Sequence, residues 1–362
     1  MSEDYGHGGD VYRAADILKR PARSILDFSA SVNPLGPSKK VKAEMRTQMK
    51  YLGTYPDHVC RRLRRRIGQI YDVSPEIILC GNGSNELIHL LCRALRPGRV
   101  RVTAPGFSEY ANAGRLAGAA IESVPLSEET GFRIDPSALA EGASGDDLIF
   151  MGNPNNPTGS LVSRDEILAA VDGSPALFVV DEAFMDFTDN PRGLIGDVAG
   201  RSNLVVVRSL TKFHALAGLR IGFGVFPEKI ASVVNEHRDP WSVNHLAQRG
   251  AYVALGDKTY VKETRRWLDV EGRFLSARLK RAGLYVYERS ANFFLVRHER
   301  AGELRNHLFS RGIILRDCSN FDGLDNRFLR IAVRSHKENA RLVREIDFFF
   351  VKREKEDGEK TP

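Results

Sequence analysis

Apolar residues in the middle of the chain come in short unbroken runs, not in the alternating pattern of a half-exposed sheet. LIFM (148–151), ALFVV (176–180) and LVVV (204–207) are each bounded by turn residues and start far enough apart for a helix to cross over each time. Such runs predict strands buried on both faces of a parallel sheet. IGFGVF (221–226) follows its predecessor too closely for a helical crossover, so it is expected to be antiparallel. Upstream, EIILC (76–80) and RVRVTA (99–104) predict two more strands. After about residue 250 the pattern changes to long amphipathic helices such as YVKETRRWLDVEGRFLSARLKRAG, then to the shorter strands ANFFLVR, GIILR and RFLRIAV. The expected fold class is α/β, with a large domain built on a mostly parallel central sheet and a smaller α+β domain. The expected division is an N-terminal arm (1–48) contributing to the small domain, a large domain (49–250), a small C-terminal domain (251–355) and a flexible tail (356–362).

Composition narrows the class without naming a chemistry. With 362 residues, 42% hydrophobic and 27% charged, the chain has the makeup of a globular protein with room for two cores. No apolar run approaches the roughly 18 residues that a membrane span requires. MSEDYGHGGD is polar and acidic where a secretory signal would be basic and then apolar. Cys60, Cys80, Cys92 and Cys318 have no metal-ligand spacing, so reduced core thiols, no metal and a cytoplasmic location are expected. The net charge of +7 is concentrated in part in RRLRRRIG (61–68). Without interleaved aromatics this reads as a solvated helix face or subunit contact, not a nucleic-acid patch. A positive balance also attracts a small anionic substrate.

Four stretches carry candidate chemistry. In CGNGSNELIHLL (80–91), Gly81 and Gly83 follow a strand and Ser84, Asn85 and Glu86 open a helix, which exposes backbone N–H groups to an anion. The third glycine of a dinucleotide fingerprint is absent, because position 86 is Glu. GNPNNPTGS (152–160) gathers more side-chain amides than a structural turn needs. VVDEAFMDF (179–187) puts Asp181 and Glu182 at the carboxyl end of a buried strand, where open α/β sheets bind ligands. Lys212, flanked by Ser209 and Thr211, follows the next strand, with Arg220 eight positions on. Anion cradle, amide turn, carboxylate and lysine in this order suit pyridoxal 5′-phosphate. The lysine would form a Schiff base with its aldehyde and the carboxylate would keep its ring nitrogen protonated.

NNPTG, DEAF and SLTKFHALAGLR together resemble the fold-type I pyridoxal-phosphate enzymes of the aspartate aminotransferase superfamily, and the resemblance covers nearly the whole chain. It implies Lys212 as the Schiff-base lysine, Asp181 on the pyridine nitrogen, Asn156 on the ring oxygen and Phe107 stacked on the ring. It also implies Gly83, Ser84, Asn85, Ser209, Thr211 and Arg220 around the phosphate. Tyr55 would reach across from a second subunit of a homodimer.

Within the superfamily, HGGDVYRAA, LDFSASVNPLGPS, APGFSEY, PWSVN and ILRDCSNFDGLDNRFLRIAVRS resemble the threonine-phosphate decarboxylases of cobalamin biosynthesis more closely than the histidinol-phosphate aminotransferases. That resemblance implies L-threonine O-3-phosphate as substrate. His7, Gly8, Ser31, Asn33, Asn156, Arg316 and Arg330 would bind it, since guanidinium groups fork onto carboxylate and phosphate. Phe184 stands where many aminotransferases carry a tyrosine. Ser31 stands where the decarboxylase pattern has asparagine, which leaves phosphoserine open as a substrate. A histidinol-phosphate aminotransferase and a non-catalytic cofactor-binding regulator are the alternatives.

Overall fold

The computed structural model describes residues 7–358, with side chains to residue 351. Its strands, in chain order, are β1 (Leu26–Asp27), β2 (Ile78–Gly81), β3 (Arg99–Ala104), β4 (Ala120–Pro125), β5 (Asp147–Gly152), β6 (Leu177–Asp181) and β7 (Leu204–Ser209). They continue with β8 (Gly222–Val225), β9 (Tyr285–Val286), β10 (Phe293–Arg297), β11 (Ile313–Ile314), β12 (Arg316–Asp317) and β13 (Phe328–Ala332). Seven of them form one sheet in the order β2-β8-β7-β6-β5-β3-β4. β3 to β7 pair in parallel, while β8 runs antiparallel to both β7 and β2, as the short connection before it requires.

The apolar runs are buried on both faces because the side-chain period is two. Ile149, Met151, Phe178, Val180 and Val206 enter one core, and Leu148, Phe150, Val179, Val205 and Val207 enter the other. The edge strand β4 was not expected from the sequence. AIESVP has only exposed or half-buried positions, so no apolar run marks it. The run at 76–80 begins as a 3-10 turn, Pro75–Ile77, capped by Ser74, and becomes strand only at Ile78.

A third core lies under the four-stranded sheet β12-β13-β10-β9, with Leu275 and Leu279 of the helix Lys258–Arg281 packed against Phe293 and Ile331. Phe28 from the arm joins it, and β1 pairs in parallel with β11. Two helices near the expected boundaries reach the core of the large sheet. The helix Lys39–Gln48 places Val41 in the core of the large sheet, although the arm was expected to serve the small domain. The helix His245–Ala254 carries Ala251 and Ala254 into that same core, past the expected boundary at 250. The last helix spans His336–Gly358, so it runs past the expected start of the tail at 356, and the rest of the tail lies outside the described residues. All four cysteines are free and buried. No described helix is long and apolar enough to cross a membrane.

Candidate active site

The parallel strands β5, β6 and β7 end on one rim, and the loops beyond them meet the start of β8 and the helix Ser84–Leu95. A cavity of about 280 Å³ opens there.

Its floor is an anion cradle. Gly83 has φ +82°, a left-handed conformation suited to glycine, and a Cβ there would stand 2.6 Å from Arg220 Nη2. A Cβ on Gly222 would stand 2.4 Å from the backbone nitrogen of Ser84. Both glycines therefore keep space open against donors. Ser84, Ser209, Thr211 and Arg220 line the cavity, and Ser209 Oγ lies 2.6 Å from Thr211 Oγ1. Asn85 Oδ1 is buried with no hydrogen-bond partner. Hydroxyls, a guanidinium and the N-terminus of a helix form a donor set that fits a phosphate.

The middle of the cavity holds Asp181 and Lys212. Burial pushes the Asp181 carboxyl up to about 6, against hydrogen bonds from Tyr110 Oη (2.9 Å) and the Ala183 N–H (2.9 Å) and the attraction of Lys212. Tyr110 is itself fixed, stacked on Phe150 with centroids 5.2 Å apart. Burial, then the nearby Arg330 and Arg220, bring Lys212 down to about 8. A lysine with that value has far more free amine at neutral pH than an ordinary lysine, about a tenth of the population, and the free amine is what reaction with a carbonyl requires.

Behind this pair, Glu182 is fully buried and bridges to Arg208 at 2.8 Å. Arg208 also meets Asp186 at 3.0 Å and the carbonyls of Pro191 and Arg192. Glu182 is thus part of a buried clamp that braces the loop after β6, and it does not line the cavity.

The roof comes from the arm and the far end of the chain. Arg330 donates Nη1 to Asn156 Oδ1 and Nη2 to the Ser29 carbonyl at 2.6 Å, and its face lies over Phe293 at 5.0 Å. Its Nε is buried without a partner, and no carboxylate pairs with it among the described residues. Burial and then Arg316 pull its pKa down to about 10. A buried guanidinium with only neutral acceptors is an incomplete ion pair that a ligand carboxylate completes. Arg316 donates to Asn320 at 2.9 Å and packs over Phe321 at 4.7 Å. Ser31 Oγ, also buried and unpartnered, borders the same space. His7 and Gly8 border the cavity as well. A Cβ on Gly8 would lie 2.4 Å from the Ser29 carbonyl oxygen, so only glycine lets the arm pass this close.

The residues expected to hold cofactor or substrate meet here, including Phe107 and Asn156, with two exceptions. Asn33 was expected to contact substrate. Its Nδ2 is instead committed to the Phe213 carbonyl (2.9 Å) and Thr264 Oγ1 (2.8 Å), and its Oδ1 accepts from the Leu35 N–H, so it braces the loop after Lys212 from outside the cavity. Tyr55 is 80% exposed, stands 5.0 Å from Trp241 and does not border the cavity within one chain. Sequence reasoning missed Tyr110 and Glu109, although both lie in APGFSEY. Tyr110 is three residues beyond Phe107 at the start of the helix Ser108–Leu116, a spacing that puts both on one face.

Residues 23–346 match the family described as aminotransferase class I and II. The chain is 36% identical to a threonine-phosphate decarboxylase of Salmonella typhimurium over 93% of this chain and 94% of that one. It is also 37% identical to a histidinol-phosphate aminotransferase of Symbiobacterium thermophilum over 88% of this chain and 89% of that one. Among solved structures, L-threonine-O-3-phosphate decarboxylase from Porphyromonas gingivalis superposes with a TM-score of 0.80 at 27% identity, covering 90% of this chain and 99% of that one. The chain belongs to the aminotransferase class I and II family, and the family and these relatives indicate a pyridoxal-phosphate-dependent enzyme.

Proposed function

We propose that this aminotransferase class I and II family member is a cytoplasmic homodimeric decarboxylase. It converts L-threonine O-3-phosphate to (R)-1-amino-2-propanol O-2-phosphate and CO2, a step of cobalamin biosynthesis, with pyridoxal 5′-phosphate as cofactor. The observation that carries the reading is the roof. His7 and Gly8 of the arm border one cavity with Lys212, Arg316 and Arg330, whose Nε is buried without a partner. A small substrate with one carboxylate and one phosphate matches two guanidiniums that share a cavity with an amine-reactive lysine.

The cradle of Gly83, Ser84, Asn85, Ser209, Thr211 and Arg220 would hold the cofactor phosphate, Phe107 would cover its ring, Asn156 would meet its ring oxygen and Asp181 its ring nitrogen. Bound there, the cofactor supplies an electron sink conjugated to the substrate nitrogen. Asp181, ionised above about pH 6, keeps a proton on a nitrogen facing it. Arg330 takes the carboxylate and fixes which bond to Cα can break. His7, Gly8, Ser31 and Arg316 take the phosphate and close the mouth to water. Once CO2 has left, Lys212 donates a proton to Cα, a role suited to an amine held near 8.

The second reading, a histidinol-phosphate aminotransferase, is favoured by the relative at 37% identity. Cofactor-facing residues serve both reactions, so substrate pose decides between them. The test is CO2 release from L-threonine O-3-phosphate by cofactor-loaded protein without a keto acid, with L-serine O-phosphate alongside. Release supports the decarboxylase, and the ratio of the two rates reports what Ser31 permits. No CO2, with amino transfer from histidinol phosphate to 2-oxoglutarate, replaces the proposal with the second reading.

A further inference from the structure

Glu109 stands in the cavity wall, an acid in a site whose other charged groups include Lys212, Arg220, Arg316 and Arg330. By itself a carboxylate there repels an incoming phosphate. Its partners give it a purpose. Oε1 meets His7 Nε2 at 3.1 Å, and Oε2 meets His89 Nε2 at 3.0 Å and Asn112 Nδ2 at 3.3 Å, with Asn85 Nδ2 more distant at 3.5 Å. Hydrogen bonds from His7 and His89 hold the Glu109 carboxyl far below the usual carboxylate range. His89 and Glu109 belong to two packed helices, Ser84–Leu95 and Ser108–Leu116, so the carboxylate is fixed from the body of the protein. Only its other oxygen reaches the arm, across 102 positions of sequence. The neighbouring arm contacts are the Gly9 N–H on Ser29 Oγ at 2.8 Å and the His7 ring 6.0 Å from that of Phe107.

We propose that Glu109 is a positioning residue that fastens the N-terminal arm: anchored by His89, it holds the His7 imidazole over the cavity, so that His7 and Gly8 are in place before substrate arrives. The inference rests on the phosphorylated-amino-acid reading for its effect on substrate, but the fastening itself does not. An arm already ordered spares the substrate the entropy of ordering it, so loss of the fastening weakens substrate binding more than it slows the chemical step.

The experiment compares holoenzyme variants Glu109→Ala, His7→Ala, their double mutant and Glu109→Gln by two readouts. One is KM and kcat for L-threonine O-3-phosphate. The other is backbone amide hydrogen exchange across residues 7–18. Glu109→Ala should raise KM about ten- to hundredfold, the range for losing a charge-assisted hydrogen bond, with a much smaller change in kcat. Exchange in the arm should accelerate. The double mutant should be no worse than the worse single, because both act through one contact. Glu109→Gln keeps one acceptor oxygen and should fall between. Unchanged arm exchange in Glu109→Ala, or additive losses in the double mutant, would overturn the proposal. So would cofactor loss in Glu109→Ala alone, which would assign the residue to Asn85. A wild-type protein that releases no CO2 refutes the decarboxylase reading only, and the exchange data still decide the fastening.

Discussion

Replacing Asp181 with asparagine should stabilise the cofactor-free protein while abolishing its activity, and the size of the gain is set by burial. The carboxyl is 6% exposed and is pushed up from an ordinary 3.8 to about 6. A rise of about two units corresponds to about 3 kcal/mol of preference for the neutral form in the folded state. The folded carboxyl holds its proton more tightly than the unfolded one. Its contribution is therefore fully present below pH 3.8 and is lost as pH rises through 6, leaving the buried charge as a liability at neutral pH. Asparagine does not titrate, and its Oδ1 still accepts from the Ala183 N–H. Its Nδ2 would face Tyr110 Oη and reverse that bond, at a cost of about 1 kcal/mol. The variant should thus be about 2 kcal/mol more stable than wild type at pH 8, with the advantage smaller by about 1.4 kcal/mol at pH 5. Reversible urea denaturation of both cofactor-free proteins across this range measures it. A difference that does not change with pH, or a variant less stable at pH 8, would refute the assignment of the shift to desolvation.

Arg330→Ala should lower kcat/KM for the phosphorylated amino acid by about 30- to 4,000-fold, from the 2–5 kcal/mol attached to a buried charged contact, with cofactor absorbance retained; Arg330→Lys should recover only part of it. Arg208→Met removes the cation facing the buried Glu182 and should cost about 3–5 kcal/mol in denaturation experiments, because the acid is left without its partner. Gly222→Ala drives a Cβ to 2.4 Å from the Ser84 nitrogen, so the helix N-terminus must move. It should cost about 1–3 kcal/mol of stability and release cofactor on dialysis, tracked by absorbance. Tyr110→Phe removes a donor to the charged form of Asp181, so that carboxyl should titrate above its wild-type value near 6, readable by infrared difference titration.

The parts of this protein that could be read in advance are those set by local chemistry. Unbroken apolar runs announced β5, β6 and β7, because a strand buried on both faces has no polar position to spare. The short step to IGFGVF announced an antiparallel β8, because a helix needs more chain to cross over. Glycines before Ser84, amides at 153–156, Asp181 and Lys212 each sat at or shortly past the end of a strand. Parallel strands deliver the residues at their carboxyl ends to one rim, so the meeting of these groups was legible too.

The features that escaped had no such local mark. β4 is a strand only because β3 offers it an edge. Asn33 belongs to a motif, yet Thr264 and the Phe213 carbonyl claim its amide. Tyr110 looks like any helix aromatic until Asp181 accepts its hydroxyl, and Glu109 like any surface acid until His7 and His89 close on it. By itself the sequence determined six of the sheet's seven strands, its rim and the order of chemical groups along it, since strand period, crossover length and turn residues act over a few positions. Only the tertiary structure decided which polar atoms are already paired and which, such as Arg330 Nε and Ser31 Oγ, are buried without a partner and so open to a ligand. Hydrogen-bond satisfaction and desolvation depend on neighbours hundreds of positions away, and no local pattern encodes them.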